Sequence, residues 1–180
     1  MNVVIIGLKS AGKSTLGPMV AERVGFSFDD LDHRLLETIA KEVGEFLDIR
    51  RAYRRLGADL FRKMERKILA EVVKEDRLVL SLGGGALLGP SAPDLVRESY
   101  VIYIRVPKDD LLRRIKAGGW PAYLDGEPDP EVALRRILGG RHPRYEKMAD
   151  LIVDNPDGGI PLKIAEEAST HILEWIKSHY

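Results

Sequence analysis

Short apolar runs rich in β-branched residues alternate with longer amphipathic segments along this chain. Five apolar runs predict β-strands, at residues 3–6, 26–28, 78–82, 100–106 and 151–153. The segments between and after them predict helices, at residues 13–24, much of 32–74, 92–98, 108–116, 130–147 and 162–178. This alternation is typical of an α/β fold, in which helices cover both faces of a parallel sheet. Ligands of such sheets bind beyond the carboxyl ends of the strands.

Two segments are not simple connections between strands. Residues 32–75 exceed what one crossover helix requires, and we interpret them as a helical insert that covers an acceptor. Residues 117–130 are rich in glycine and proline, which is the composition of a mobile lid over a phosphate site. We therefore expect a single domain, residues 1–180, with a substrate-binding insert and a lid.

Composition narrows the class of protein. The 28 basic and 28 acidic residues give a formal net charge of zero, which argues against a general nucleic-acid or membrane-surface binder. The absence of cysteine excludes disulfides, thiolate zinc sites and cysteine nucleophiles. No apolar stretch approaches the ~20 residues of a membrane span, and the chain opens on a predicted strand rather than a signal peptide. We expect a cytoplasmic enzyme, since ATP is found there.

The clearest motif follows the first predicted strand. Residues 7–15, Gly-Leu-Lys-Ser-Ala-Gly-Lys-Ser-Thr, match the phosphate-binding pattern G-x-x-x-x-G-K-[ST]. A strand precedes the loop and a helix follows it, so backbone N–H groups and the helix N-terminus together form an anion site. Lys13 is expected to reach the β- and γ-phosphates of ATP, and the Ser14 hydroxyl to bind Mg²⁺. The predicted nucleotide-binding residues of the loop are Ser10, Ala11, Gly12, Lys13, Ser14 and Thr15.

Two aspartates come directly after the second predicted strand. Alternate residues of an extended segment point the same way, so Asp30 and Asp32 are expected to face the phosphate loop together. One carboxylate is then suited to Mg²⁺ and the other to orienting an acceptor hydroxyl. The alternative is a pair of aspartates in an ordinary turn or helix cap.

Arg62 and Glu65 lie one helical turn apart in the insert. They are either a surface ion pair worth a few tenths of a kcal/mol or a carboxylate-binding arginine held in place by a glutamate. The third predicted strand ends in Gly83, Gly84 and Gly85, which indicates either a tight turn or backbone that approaches a ligand closely.

Other basic residues are weaker candidates. Arg141 follows the lid and is suited to a substrate carboxylate or the transferring phosphate, although basic helix ends are common. Arg114 is suited to contact the nucleotide. The arginines at positions 50, 51, 54 and 55 are interpreted as a solvated face of the insert. The histidines show no metal-ligand spacing.

Together these motifs resemble the shikimate kinase family over nearly the whole chain. The resemblance rests on the phosphate loop, Asp30-x-Asp32, Phe61-Arg62-x-x-Glu65, the triple glycine, Arg141 before Pro143 and Tyr145, and Val153-Asp154-Asn155. It implies a three-layer fold with a five-stranded parallel sheet of order 2-3-1-4-5, and transfer of the ATP γ-phosphate to the 3-hydroxyl of shikimate. It also implies Asp30 near Mg²⁺, shikimate bound by Asp32, Arg62, the triple glycine and Arg141, and a monomer.

One departure from the family pattern stands out. The family's lid usually carries an arginine directly before Pro-Leu-Leu, where this chain reads Trp120-Pro121-Ala122-Tyr123. Trp120 cannot supply the positive charge of that arginine. An arginine that binds the transferring phosphate can accelerate phosphoryl transfer by orders of magnitude. Candidates to compensate are the arginines at positions 113, 114, 135 and 136. The phosphate loop also has Ser10 where the family often has glycine.

We therefore interpret the chain as a kinase that uses Mg·ATP, with shikimate as the favoured acceptor. Two alternatives stay open. In the first, the acceptor is another small hydroxy acid, such as gluconate, because two arginines indicate that the acceptor has a carboxylate but do not identify the molecule. Otherwise the chain is a weakly active or regulatory nucleotide-binding protein, which Trp120 favours and the intact loop and aspartates oppose.

Overall fold

The computed structural model describes residues 1–89, 91–156 and 161–179. The strands are β1 (Asn2–Ile6), β2 (Ser27–Asp30), β3 (Leu78–Ser81), β4 (Tyr100–Arg105) and β5 (Leu151–Asp154). The helices are α1 (Lys13–Val24), α2 (Leu31–Val43), α3 (Ile49–Val72), α4 (Lys108–Gly118), α5 (Pro130–Met148) and α6 (Pro161–His179), with short 3₁₀ turns at Pro93–Val96 and Ala122–Leu124.

All strand pairs are parallel, and the order in the sheet is β2-β3-β1-β4-β5. The predicted α/β fold and strand order are confirmed. β1 lies at the centre, where Val4 pairs with Leu80 on one side and Val101 on the other. Its continuous apolar run has no polar alternation because both faces are covered by helices. The carboxyl ends of β1, β2 and β3 therefore meet at one edge of the sheet.

Most element boundaries differ from the predictions by one or two residues, and two differences have a clear structural cause. β2 includes Asp29 and Asp30, because this edge strand is only half-buried and its ladder with β3 continues through Asp30 opposite Ser81. The helix predicted over residues 92–98 is a single 3₁₀ turn, Pro93–Val96, since only one turn fits before β4 begins.

The insert consists of two packed helices. α2 ends at Gly44, whose φ of 73° suits glycine, and α3 bends at Gly57, where φ is also 73°. The lid segment, which connects α4 to α5, packs against α3 through its 3₁₀ turn. Pro121 and Leu124 are buried in that contact. In the described part of the chain, no helix is both long enough and apolar enough to cross a membrane.

Candidate active site

The phosphate loop connects β1 to α1 and has the backbone of an anion-binding turn. Gly7 and Gly12 have φ angles of 154° and 101°, which disfavour residues with a Cβ. Lys13 Nζ donates to the Leu8 carbonyl at 3.0 Å, which holds the ammonium over the loop. Ser10 has φ of 65°, so this chain places a side chain in a left-handed conformation that glycine would adopt without strain.

A second set of contacts supports the loop from the β5 side. Asn155 Nδ2 donates to the Ala11 carbonyl at 3.0 Å, and Arg114 Nη2 donates to the Asn155 carbonyl at 2.9 Å. Arg114 also reaches the Ser10 carbonyl at 3.4 Å. These groups border a cavity of about 220 Å³ that reaches Thr15 at the start of α1. Arg114 therefore lies beside the loop, as expected of a nucleotide contact, whereas Arg113 forms an ion pair with Asp110 on its own helix.

Asp30 joins the phosphate loop to β2. Ser14 Oγ donates to Asp30 Oδ2 at 2.9 Å, and Asp30 Oδ1 accepts from the Asp32 amide at 3.0 Å. Asp30 is thus the N-cap of α2, and Asp32 lies in the first helical turn. The two aspartates do line one cavity, but the reason predicted was wrong: a helix cap, rather than alternation along a strand, brings them together.

A second cavity, of about 280 Å³, lies at the carboxyl edge of the sheet and is lined by the phosphate loop, the insert and the lid. Lys13, Ser14, Asp30 and Asp32 line it, as do Arg62 and Glu65 of α3. Residues from three separate segments of the sequence therefore line one cavity.

Burial changes the acid–base properties of this cavity. Burial, with the negative charges of Asp30 and Glu65, raises the pKa of Asp32 to about 6, against the opposing pull of Lys13 and Arg62. Burial also lowers the pKa of Lys13, although Asp32 and Asp30 act in the other direction. Because Asp32 is poised near neutral pH, it is suited to accept a proton from a hydroxyl group.

Arg62 is held in a fixed orientation by its surroundings. Its Nη1 donates to Glu65 Oε2 at 2.6 Å, and Glu65 is only 1% exposed. Burial raises the pKa of Glu65, while the Arg62 guanidinium counteracts that shift. The guanidinium also lies 5.8 Å from the ring centre of Tyr53. This is not a solvated surface pair, because one partner is buried and the other faces the cavity.

The triple glycine follows β3 and lies close to both Asp32 and Arg62. A Cβ on Gly83 would lie 2.6 Å from Asp32 Oδ1, and one on Gly85 would lie 2.6 Å from Arg62 Cζ. The glycines therefore allow a close approach at both ends of the turn, by Asp32 at Gly83 and by Arg62 at Gly85. Neither needs a positive φ.

Arg141 and Tyr145 of α5 anchor the middle of this turn. Arg141 Nη1 and the Tyr145 hydroxyl both donate to the Gly84 carbonyl, at 2.8 and 2.6 Å. The Arg141 guanidinium lies 5.0 Å from the ring centre of Tyr123, a lid residue that lines the cavity. Arg62 lines the cavity beside the triple glycine, whereas Arg141, which contacts Gly84, is not among the described residues that line it; its role at the acceptor stays a prediction.

The sequence interpretation missed several cavity residues. Tyr53 and Tyr123 line the acceptor side, but isolated tyrosines carried no signal. Lys9 and Arg50 also line the cavity. The assignment of Arg50 to a solvated face was wrong, because Ile49 begins α3 at the cavity mouth and Arg50 follows it there.

The other arginines of that cluster behave as predicted. Arg54 and Arg55 form exposed ion pairs with Asp125 and Glu45, and Arg51 is exposed. Two of the arginines expected to compensate for Trp120 are also engaged at the surface. Arg135 pairs with Asp109 and Glu131, and Arg136 with Glu127.

Comparison with known proteins agrees with this geometry. The family profile described as shikimate kinase matches residues 9–177. A shikimate kinase of Psychrobacter sp. is 30% identical over 177 residues, covering 98% of this chain and 92% of the relative. One of Synechococcus sp. is 32% identical over 175 residues, covering 96% and 83%.

Solved structures give the same result. The shikimate kinase of Acinetobacter baumannii, solved in complex with shikimate, superposes with a TM-score of 0.81 at 28% identity, covering 96% of this chain and 93% of that one. The profile match covers more than half of the chain and includes most of the phosphate loop, the insert, the triple glycine and the lid. The chain therefore belongs to the shikimate kinase family, whose members are ATP-dependent phosphotransferases that act on a hydroxyl group.

Proposed function

We propose that this protein transfers the γ-phosphate of ATP to the 3-hydroxyl of shikimate, giving ADP and shikimate 3-phosphate. The observation that carries the proposal is one cavity that joins the phosphate loop to a buried carboxylate and a fixed guanidinium, Asp32 and Arg62. The Acinetobacter relative binds shikimate, and family membership supports the same acceptor here.

The nucleotide end of the cavity supplies positive charge for the phosphates. Lys13 and the loop amides are assigned to the β- and γ-phosphates of ATP. The Ser14 hydroxyl and the Asp30 carboxylate, whose oxygens lie 2.9 Å apart beside the cavity, would hold a magnesium ion, which would neutralise charge on the phosphates. Mg²⁺ needs few protein ligands when phosphate oxygens and water complete its shell.

The acceptor end provides recognition of a hydroxylated acid. Arg62, and Arg141 across the triple glycine, are assigned to the acceptor carboxylate, for which a planar guanidinium is well suited. Glu65 keeps the Arg62 fork in place. The backbone of Gly83, Gly84 and Gly85 lets the acceptor ring approach the sheet edge without obstruction.

The chemical step follows from this alignment. The acceptor hydroxyl oxygen forms a bond to the γ-phosphorus as the bond from that phosphorus to the bridging oxygen breaks, and ADP leaves with the electron pair. Asp32 accepts the hydroxyl proton, which its raised pKa favours. Alignment and charge account for most of the catalysis, since phosphoryl transfer requires little covalent chemistry from the protein.

We also propose roles for the two added segments. Residues 32–75 form the acceptor-binding insert, and residues 117–130 the lid, which excludes water and suppresses hydrolysis of ATP. Both belong to one kinase domain, which we expect to act as a cytoplasmic monomer where ATP is available.

An ADP-release assay tests the proposal. ATP and Mg²⁺ are supplied with shikimate, with gluconate or with no acceptor, and the product is identified by the coupling between its phosphorus and the ring proton at position 3. Turnover that depends on shikimate is the expected result. Turnover with gluconate alone would assign a different acceptor, and ATP binding without acceptor-dependent turnover would leave a nucleotide-binding protein.

A further inference from the structure

Two basic residues meet at the boundary between the phosphate loop and the lid. Lys9, in the loop, donates from Nζ to the Gly119 carbonyl at 2.8 Å. Arg50, at the start of α3, approaches the same residue, since a Cβ on Gly119 would lie 3.1 Å from Arg50 Nη2. Both side chains line the cavity that contains Lys13 and Asp32. We refer to Lys9 and Arg50 as the cation pair.

The cation pair has no direct ion-pair partner in the described part of the chain, although the hydrogen bond and charge of Arg54, and after them the charge of Arg50, lower the pKa of Asp125. Neither residue forms an ion pair with a carboxylate there, whereas Arg54, one turn further along α3, pairs with Asp125. Burial, and after it the nearby positive charge of Arg50, lower the pKa of Lys9, because a second cation at short range disfavours the charged ammonium. Two like charges in a partly enclosed site are unfavourable unless an anion neutralises them.

The position of the cation pair indicates which anion would neutralise it. The carboxylate of an acceptor already has Arg62 and Arg141 on the far side of the cavity, beside the triple glycine. The cation pair instead adjoins the phosphate loop, because Lys9 lies within the loop itself and Gly119 opens the lid. The charge that develops in this region during the reaction is that of the transferring phosphoryl group.

We propose that Arg50, with Lys9 beside it, binds the transferring phosphoryl group and supplies the positive charge that the lid of this chain lacks. Trp120 stands where the family's lid has an arginine, and the surface arginines 135 and 136 are engaged in ion pairs away from the cavity. In this chain the insert and the phosphate loop would therefore provide the positive charge. The hydrogen bond from Lys9 to the Gly119 carbonyl would couple that charge to the position of the lid. This inference rests on the proposed kinase function.

Substitution of Arg50 gives the direct test. In Arg50→Ala, kcat should fall about 100-fold while the KM values for ATP and shikimate change little, because the lost contact is made mainly in the transition state. Arg50→Lys should recover part of the rate, and added guanidinium should partly rescue Arg50→Ala. Arg51→Ala is the matched control, since the neighbouring Arg51 is exposed on the same helix and should keep full activity. Lys9→Met is a second variant and should show the same pattern with a smaller loss.

A binding measurement separates this inference from the acceptor assignment. Beryllium fluoride occupies the γ-phosphoryl position beside ADP and needs no acceptor. It should tighten ADP binding in the wild type and in Arg51→Ala but do so at least about tenfold less in Arg50→Ala. Should shikimate prove not to be the acceptor, this measurement would still test the cation pair. Unchanged kcat and unchanged beryllium fluoride enhancement in Arg50→Ala, or a change confined to the KM for shikimate, would overturn the inference.

Discussion

The Ser14 hydroxyl donates to the Asp30 carboxylate at 2.9 Å, so the phosphate loop and the end of β2 are joined by one hydrogen bond across the active-site edge. The same carboxylate caps α2 through its other oxygen. Asp30 therefore positions both a candidate Mg²⁺ ligand and the helix that carries Asp32.

Asp30→Asn separates these two roles. Asparagine still caps a helix, so the free energy of unfolding should change little. The Mg²⁺ concentration needed for half-maximal ADP release should rise about tenfold or more, because a charged oxygen near the metal is lost. A magnesium titration of the activity measures this. Asp48→Asn is the control, since Asp48 caps α3 in the same way but does not line the cavity; an equal shift in both variants would argue against a metal role for Asp30.

Asp32 should control the pH dependence of catalysis. Its pKa of about 6 means that the carboxylate loses its negative charge as the pH falls through that value. We expect kcat/KM for shikimate to decline below about pH 6, and Asp32→Asn to lower kcat by at least about 100-fold. A pH–rate profile of the wild type measures the acidic limb, and an unchanged limb in the residual activity of Asp32→Asn would assign it to another group.

Asp32→Asn should also stabilise the fold at neutral pH. An aspartate whose pKa is raised from 3.8 to about 6 holds its proton more tightly when folded, so its ionisation costs stability progressively as the pH rises through that window. Above about pH 6 the neutral amide avoids this cost, which is at most about 3 kcal/mol. Denaturant unfolding at pH 7.5 and at pH 3.5 should show a gain for the variant at the higher pH only. A gain of equal size at both pH values would contradict a charge-burial cause.

Arg62 should determine acceptor binding without affecting ATP. Arg62→Lys keeps the charge but loses the planar fork, and the KM for shikimate should rise about tenfold while the KM for ATP stays within about twofold. Arg62→Ala should raise the KM for shikimate further and should also lower stability, because it leaves Glu65 buried without its partner. Lys63→Ala, at an exposed position on the same helix, should change neither KM. Parallel loss of ATP and shikimate binding would remove Arg62 from the acceptor site.

The triple glycine offers a steric test of the same geometry. In Gly85→Ala the new Cβ would lie 2.6 Å from Arg62 Cζ, so the guanidinium must shift from its position beside Glu65 to make room. The fold should persist, whereas the KM for shikimate should rise about tenfold, because Arg62 is displaced. Gly89→Ala is the matched control, since its Cβ would have only ordinary contacts, the nearest at 3.5 Å. Steady-state kinetics with a thermal melt of each variant would distinguish displacement from unfolding.

Trp120→Arg tests how charge is divided between lid and insert. If Arg50 supplies what the lid lacks, an arginine at position 120 should add little to the wild type but should recover at least about tenfold of the rate lost in Arg50→Ala. The double-mutant cycle, measured as kcat, gives the coupling directly. Additive effects of the two substitutions would show that they do not serve the same phosphoryl group.

The sequence by itself determined the fold class, the strand order through its family resemblance, and part of the cavity lining, including Lys13, Asp32 and Arg62. Apolar runs and a motif of fixed spacing are local features, and local features can be recognised from the sequence alone. Asp32 was found in this way too, although helix capping by Asp30, rather than strand alternation, explains its position.

Only the tertiary structure decided which basic residues face the reaction. Arg50 and Arg54 are equivalent in sequence, four residues apart on one helix, yet Arg50 lines the cavity and Arg54 pairs with Asp125 on the lid. The choice depends on where α3 begins and on how the lid packs against it. Both are set by contacts between residues about 70 positions apart, such as Arg54 and Asp125, and no local pattern of charges encodes such a contact.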